Sequence, residues 1–235
     1  MNILWYNENC IAIEDSIGID EVGRGPLAGP VVSAAVWICE DLAKYLEKNS
    51  DILPVRDSKK MTRKQRQNIV DWINGCPADQ IKYAIGYATV EEIDELNILR
   101  ASLLSMERAY ADCITGFCSA SASNMALAEA VDAAFAGSTV VLVDGNIAPN
   151  IKGAEIQTIV RGDDKVLSIS LASIIAKEYR DNYMRNLSEQ FPQYSWDTNV
   201  GYGTVAHMKA ICEYGITVHH RKSFSPVFQL PLPMD

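Results

Sequence analysis

Apolar positions along the chain follow two rhythms, and their order suggests an architecture. Residues 16–19 form a short apolar run that reads as a strand and leads into a glycine-rich turn, Gly23-Arg24-Gly25-Pro26-Leu27-Ala28-Gly29. Residues 31–38 are almost continuously apolar, as expected of a strand covered on both faces. Residues 82–88, 138–143 and 155–160 read as three more strands. Elsewhere the period lengthens. Ile93, Leu96, Leu99, Leu103 and Met106 predict one long amphipathic helix over residues 90–112. Thr89 with Glu92 three residues later opens it as a capping box. Helical patterns return over 167–188 and over 204–214, the second closed by Gly215. Three strands, then strands alternating with helices, predict an α/β fold with a mixed sheet. Residues 113–137 are rich in small residues and read as an insertion with a short helix over 124–135, and no element is expected after Pro226.

A length of 235 residues suits one large domain or a domain with an extension. Hydrophobic residues at 48% and charged residues at 22% exclude a disordered or fibrous chain. No run approaches the roughly 20 apolar residues that span a bilayer. The first ten residues lack the basic cluster of a targeting peptide, so a cytoplasmic protein is expected. Its six cysteines (Cys10, Cys39, Cys76, Cys113, Cys118, Cys212) form no Cys-x-x-Cys pair and are expected to be reduced thiols. With only His207, His219 and His220 besides, a zinc or histidine-rich metal site is not expected.

Thirty acidic against 21 basic residues give a net charge of −9, which taken alone argues against a partner as anionic as nucleic acid. The distribution changes that picture. Residues 53–66 hold six basic side chains (Arg56, Lys59, Lys60, Arg63, Lys64, Arg66) against Asp57 alone, a local +5 that leaves −14 on the rest. Such a run is either a solvated helix face or a phosphate-binding loop entering a helix, which Asp57 and Ser58 could cap. Residues 207–222 form a second, weaker basic region containing all three histidines.

The acids fall at predicted strand ends. The first strand ends in Asp20-Glu21, the fourth in Asp144-Gly145-Asn146, and the fifth in Arg161-Gly162-Asp163-Asp164. Sites in open α/β sheets form beside the carboxyl ends of strands. If these strands are neighbours, the acids converge into an all-oxygen site suited to a hard cation, Mg²⁺ or Mn²⁺. The chemistry implied is metal-assisted phosphodiester hydrolysis with two ions. On an ideal strand Asp20 and Glu21 point to opposite faces, so Asp20 is expected in the strand and Glu21 where the chain leaves it. Asp163 and Asp164 are both open at this point, Asp164 being also well placed to cap the next helix. The Gly-Arg-Gly turn lacks the spacing of a P-loop or a dinucleotide fingerprint.

These residues resemble the type 2 ribonucleases H, the bacterial ribonuclease HII family. The likeness begins at Asp20-Glu21-Val22-Gly23-Arg24-Gly25-Pro26-Leu27-Ala28-Gly29-Pro30 and continues through Asp57-Ser58-Lys59-Lys60, Ile93-Asp94-Glu95-Leu96-Asn97-Ile98-Leu99, Asp144-Gly145-Asn146 and Gly162-Asp163. It ends with Ala172-Ser173-Ile174-Ile175-Ala176-Lys177, Phe191-Pro192-Gln193-Tyr194, Gly201-Tyr202 and His219-His220-Arg221-Lys222-Ser223-Phe224. The resemblance implies a ribonuclease H-like fold, a five-stranded mixed sheet flanked by helices, with a C-terminal helical extension. Residues 1–190 would be the catalytic domain, 191–226 the extension and 227–235 a flexible tail. It implies a monomeric endonuclease that hydrolyses the RNA strand of RNA–DNA hybrids and nicks 5′ of single ribonucleotides in duplex DNA, as in ribonucleotide excision repair. Asp20, Glu21, Asp144 and Asp163 would be the catalytic and metal-binding carboxylates, which selects Asp163 over Asp164. Gly23, Arg24 and Gly25 would sense the ribose 2′-hydroxyl, the group that tells RNA from DNA. Tyr202 would pack on the next, deoxy, sugar. Ser58, Lys59, Lys60 and Lys177 would contact the substrate.

Three features depart from the family pattern. Asn199-Val200 stands where many members carry His-Lys, residues 113–137 are longer than expected, and the C-terminus is unusual. Its Gln229-Leu230-Pro231-Leu232-Pro233-Met234 reads either as a sliding-clamp-binding peptide, with Pro233 breaking the usual Leu-Phe ending, or as a plain tail. Two competing readings are another ribonuclease H-like enzyme, such as a resolvase or a type 1 ribonuclease H, and a non-catalytic hybrid binder. The Gly-Arg-Gly turn and Tyr202 argue against the first. Four acids beside phosphates argue against the second.

Overall fold

The computed structural model describes residues 16–48, 58–118 and 140–227. Cys10, Arg56, Asp57, most of the 113–137 insertion with its expected helix, and the tail at Gln229–Met234 lie outside these residues.

Five strands form one mixed sheet in the order β3-β2-β1-β4-β5. They are β1 (Ile17–Val22), β2 (Val31–Ile38), β3 (Ile81–Ala88), β4 (Val140–Asp144) and β5 (Glu155–Ile159). β1 to β3 form an antiparallel meander, and β4 and β5 join parallel to β1. The helices are α1 (Glu40–Lys48), α2 (Arg63–Asn74), α3 (Val90–Leu96), α4 (Ile98–Cys118), α5 (Leu167–Gln190), α6 (Trp196–Asn199) and α7 (Val205–Tyr214). Among the described residues no helix is long and apolar enough to cross a membrane.

The continuous apolar run of β2 is explained by cover on both faces. Val32, Ala34, Val36 and Ile38 pack with α1, α2 and α5 through Leu42, Leu46, Ile69, Leu171 and Ile175. On the other face Ala35, with Ile17, Ile19, Val141 and Val143, meets Met106, Ala109, Tyr110 and Ile114 of α4. Two glycines set how closely the layers approach. A Cβ at Gly18 would overlap the α5 backbone at Ser168 and Ile169, and a Cβ at Gly86 would overlap the α4 backbone at Ser105 and Ala109.

Local signals account for most helix limits, and the departures have physical causes. Thr89 and Glu92 close the expected capping box. The helix predicted over 90–112 is two helices, because Asn97 turns left-handed at φ 69. Its side chain then accepts from the Leu99 and Arg100 N–H groups, which caps α4. Leu96, counted in the apolar stripe, is exposed. Helix α2 is capped by Thr62 with Gln65, not by Asp57 or Ser58. Asp164 does not cap α5, whose N-cap is Val166; it pairs instead with Arg161 at 2.9 Å.

The extension after α5 packs on it and on the loop between β1 and β2, through Leu27, Ala28, Met184, Leu187, Tyr194, Trp196, Ala210 and Ile211. Val227 is buried in the same cluster, so the packed chain includes the first residue of the expected tail. Overpacking of a close-packed interface costs about 1–3 kcal/mol, and more when backbone must move. Gly18→Ala and Gly86→Ala are each expected to lower the Tm by about 2–4 °C per kcal/mol lost. Calorimetry of each variant measures this, and an unchanged Tm would mean the layers are not in contact at these glycines.

Candidate active site

The site is set by strand register. β1 and β4 are parallel neighbours with Ile19 opposite Val143, so Asp20 and Asp144 follow side by side at the carboxyl ends. Asp20 is buried, whereas Glu21 and Asp144 are partly buried. Burial pushes Asp20 well above the usual carboxylate range, and the charges of Glu21 and Asp144 push it further. Ser173 and the Glu21 N–H, which donates to Asp20 Oδ1 at 2.7 Å, pull the other way. Glu21 is also raised, first by burial, with Arg24 opposing and Asp144 adding. Arg24 Nη1 stands 3.3 Å from Glu21 Oε1.

Both Asp20 and Glu21 lie within β1, opposite Ala34 and Ser33 of β2, and this corrects the expectation that Glu21 sits where the strand ends. The strand continues through Val22, and at its end the two carboxylates are close enough to feel Asp144 without leaving the ladder. Asp163 stands on a different element, linked to Asp144 through its neighbour. The Gly162 N–H donates to Asp144 Oδ1 at 2.6 Å, and Asp163 follows in a short 3₁₀ turn whose backbone carbonyl accepts from Ser170.

Among the described residues no three Asp, Glu, His or Cys side chains close into a metal cage. The donor set still fits a hard divalent ion. A buried carboxylate destabilised by two like charges is relieved by a cation, and Mg²⁺ is commonly held by one or two carboxylates together with substrate phosphates.

The glycine-rich turn is held from beneath by two fully buried arginines, Arg221, which the sequence had shown only as part of a family motif and a basic region, and Arg180, which it had not singled out. Arg221 donates to Gly29 O (2.9 and 2.8 Å), Arg24 O (3.0 Å) and Gly23 O (2.6 Å). Arg180 of α5 donates to Pro30 O (2.9 Å), Ala28 O (3.0 Å) and Val200 O (2.9 Å). Desolvation lowers Arg180 to about 10 and Arg221 to about 9, so both remain charged at neutral pH. Gly23 is required at φ 93, and a Cβ there would collide with the Arg180 side chain. Arg180 could have been noticed, since it continues the buried stripe Ile169, Ser173, Ala176, Met184 along α5. Asp94 completes the support by accepting from the Lys222 and Ser223 N–H groups at 3.0 and 2.9 Å, next to Arg221.

Tyr202 is exposed, and a Cβ added at Gly25 would lie 3.4 Å from its ring. Its backbone is fixed by a hydrogen-bond chain through the extension. Trp196 Nε1 donates to His207 Nε2 at 3.1 Å, so His207 carries its proton on Nδ1 and gives it to Tyr202 O at 2.9 Å. Thr217 N–H donates to His220 Nδ1, which leaves the His220 Nε2 proton to face His207 Nε2 at 3.2 Å. Burial lowers both histidines, His220 to about 3. The expected basic region at 207–222 is therefore half interior: two neutral histidines and a buried arginine, with Lys209 and Lys222 exposed. Asn199 is buried too, and its side chain accepts from the Gly201 N–H and donates to Tyr194 O.

Ser58 is buried rather than facing solvent, its hydroxyl 2.9 Å from Ser173 Oγ. Lys59 and Lys60 beside it are exposed. Arg66, counted in the basic run, is buried between α2 and α5, where it meets Glu178 (3.3 Å) and Asp181 (3.0 Å) and donates to Met61 O. Lys177 is mostly covered and pairs with Asp181 at 2.7 Å.

The sequence profile of the family described as Ribonuclease HII matches residues 17–227. The curated Ribonuclease HII of Pelagibacter ubique (strain HTCC1062) is 40% identical over 213 residues, 91% of this chain and 97% of that one. The solved RNase HII in its complex with PCNA from Archaeoglobus fulgidus has a TM-score of 0.60 at 21% identity, covering 88% of this chain and 93% of that one. Bst-RNase HIII in complex with Mn²⁺ has a TM-score of 0.65 at 16% identity, covering 93% and 70%. At such identities the two structures speak for the shared fold.

The raised pKa of Asp20 makes a signed prediction for the metal-free protein. A carboxyl raised in the folded state favours folding below its unfolded pKa, and that contribution is lost as pH rises through the folded value. Asp20→Asn removes this loss while its amide oxygen can still accept from Glu21 N–H and Ser173. The variant in EDTA at pH 8 is expected to melt a few degrees above the wild type, with the gap closing toward pH 4. Added Mg²⁺ or Mn²⁺ should raise the Tm of the wild type and not of the variant. A variant less stable than the wild type at pH 8 would show that Asp20 is not under electrostatic strain.

Proposed function

This chain belongs to the ribonuclease HII family, and from that premise we propose that it nicks duplex DNA on the 5′ side of a single embedded ribonucleotide, with Asp20, Glu21, Asp144 and Asp163 holding two divalent ions. Family membership makes it a ribonuclease H, an endonuclease that hydrolyses RNA–DNA hybrids and produces 5′-phosphate ends. The observation that carries the finer reading is the register of β1 on β4, which sets Asp20 beside Asp144 at the carboxyl ends of two interior strands, next to the 23–25 turn and Tyr202.

The chemistry that Mg²⁺ or Mn²⁺ supplies when bound is activation of a water and stabilisation of the leaving 3′ oxygen. The chain's own residues bind and orient. Asp20, Glu21, Asp144 and Asp163 provide the oxygens. The 23–25 turn reads the ribose hydroxyl, and Tyr202 packs on the following deoxyribose. Lys59 and Lys60 approach the substrate backbone, on a turn tied through Ser58 and Ser173 to Asp20. Lys177 contributes by holding Asp181 within the ionic network that joins α2 to α5.

The test uses a labelled DNA duplex carrying one ribonucleotide, an all-DNA control and each metal in turn. Wild-type protein is expected to cut only the ribonucleotide duplex, 5′ of the ribose. Asp20→Asn and Asp163→Asn are expected to lose at least a hundredfold in rate, whereas Asp164→Asn, which frees only Arg161 at the surface, keeps it within about threefold. Cutting of the all-DNA control would refute ribonucleotide recognition, and an active Asp20→Asn would refute the ligand assignment.

The relative from Archaeoglobus fulgidus is named in a complex with PCNA, a sliding clamp, and the 229–234 segment gives the corresponding reading here. Capture by the host clamp that disappears when residues 229–235 are deleted is the expected result. Equal capture with and without them would end the idea.

A further inference from the structure

Arg221 is wholly buried, makes four hydrogen bonds to backbone carbonyls, and among the described residues has no carboxylate in ion-pair contact. The Phe224 ring centroid lies 5.0 Å from its Cζ. A buried cation costs free energy unless its hydrogen bonds are made, and here all of those found go to the loop that carries the Gly23-Arg24-Gly25 turn. The consequence follows from peptide geometry. In a planar trans peptide the carbonyl of one residue and the N–H of the next point in opposite directions. With Gly23 O and Arg24 O both drawn inward to Arg221, the N–H groups of Arg24 and Gly25 are turned outward, at two exposed residues beside the Tyr202 ring. Pro26 follows and has no N–H, so the pair of donors ends at Gly25.

We propose that Arg221 is the positioning residue of the ribose-sensing turn: by taking the Gly23 and Arg24 carbonyls it fixes the Arg24 and Gly25 N–H groups toward the sugar hydroxyl of the substrate. The inference rests on the ribonucleotide reading above and adds the residue that makes it selective. The fork of a guanidinium is needed, because Nε and both Nη atoms reach three different carbonyl groups at once. A lysine ammonium, a single point with three donors, cannot span them. Arg180 is the matched comparison. It is equally buried, packs against Gly23 and also donates only to carbonyls, but those of Ala28, Pro30 and Val200, so it bonds neither the Gly23 nor the Arg24 carbonyl.

The experiment measures Kd for a duplex with one ribonucleotide and for the same all-DNA duplex, with Ca²⁺ in place of the catalytic ion. The readout is the ratio of the two constants, from which any loss of folded protein cancels. Wild type is expected to favour the ribonucleotide duplex at least tenfold. Arg221→Lys should reduce that preference about tenfold, roughly what a hydrogen bond to the hydroxyl carries, whereas Arg180→Lys, which loosens the same loop at Ala28 and Pro30, should weaken binding of both duplexes alike and leave their ratio within about twofold of wild type. Equal loss in both variants, or retention in Arg221→Lys, would overturn the proposal in favour of a purely structural role. A wild-type ratio near one would instead sink the ribonucleotide reading itself. Amide exchange on the wild-type protein decides the matter even if Arg221→Lys does not fold. The Arg24 and Gly25 amides should exchange fast in the free protein and be protected by the ribonucleotide duplex, not by the all-DNA duplex. Slow exchange in the free protein would mean that the donors do not face outward, contrary to the proposal.

Discussion

The arrangement on which the site depends is the capture of one loop's carbonyls by two buried guanidiniums. Residues 23–30 leave β1 and return as β2, and five of their carbonyl groups bond to Arg180 or Arg221. A loop this short cannot satisfy its own backbone, and unpaired buried carbonyls are costly. The arginines solve that problem and also join three parts of the chain that are far apart in sequence: the first hairpin, the long helix α5 and the extension. Backbone bonds complete the seam, from Leu27 N–H to Gly201 O and from Arg221 N–H to Leu27 O. The turn with Arg24 and the turn with Tyr202 are thus one rigid unit.

Electrostatics divides the molecule in a similar way. At the carboxyl end of the central strand, burial and like charges hold Asp20 in an unfavourable ionised state, a destabilisation that ligand binding can relieve. Beneath the neighbouring loop the sign is reversed, with two positive charges whose hydrogen bonds go to neutral carbonyls. Between Trp196 and Tyr202 the charge is removed altogether, because every proton on His207 and His220 already has a place and a further one would face a donor. Local charge is therefore set by these pairings and not by the −9 that the chain as a whole carries.

The strands were legible because period and composition are local. β2 matches its apolar run residue for residue, and the other strands shift by a residue or two at their ends or, for β1, by three. The capping box at Thr89 was legible for the same reason. The single helix over 90–112 was not correctly read, since nothing local announces that Asn97 will turn left-handed and cap a second helix. The basic run also misled. Charge in a sequence has no direction, and Arg66 and Arg221 point inward to partners more than a hundred residues away.

By itself the sequence determined which residue types stand at the strand ends and turns: the acids in the last residues of β1 and β4, the glycines flanking Arg24, the tyrosine after Gly201. These follow from local propensity and motif, and they sufficed to place the chain in its family. Only the tertiary structure decided what holds them. The parallel register of β1 on β4 put Asp20 next to Asp144, and the packing of α5 and the extension brought Arg180 and Arg221 under the turn. Both depend on long-range pairing, in which a residue's partner is chosen by how layers stack rather than by its neighbours along the chain.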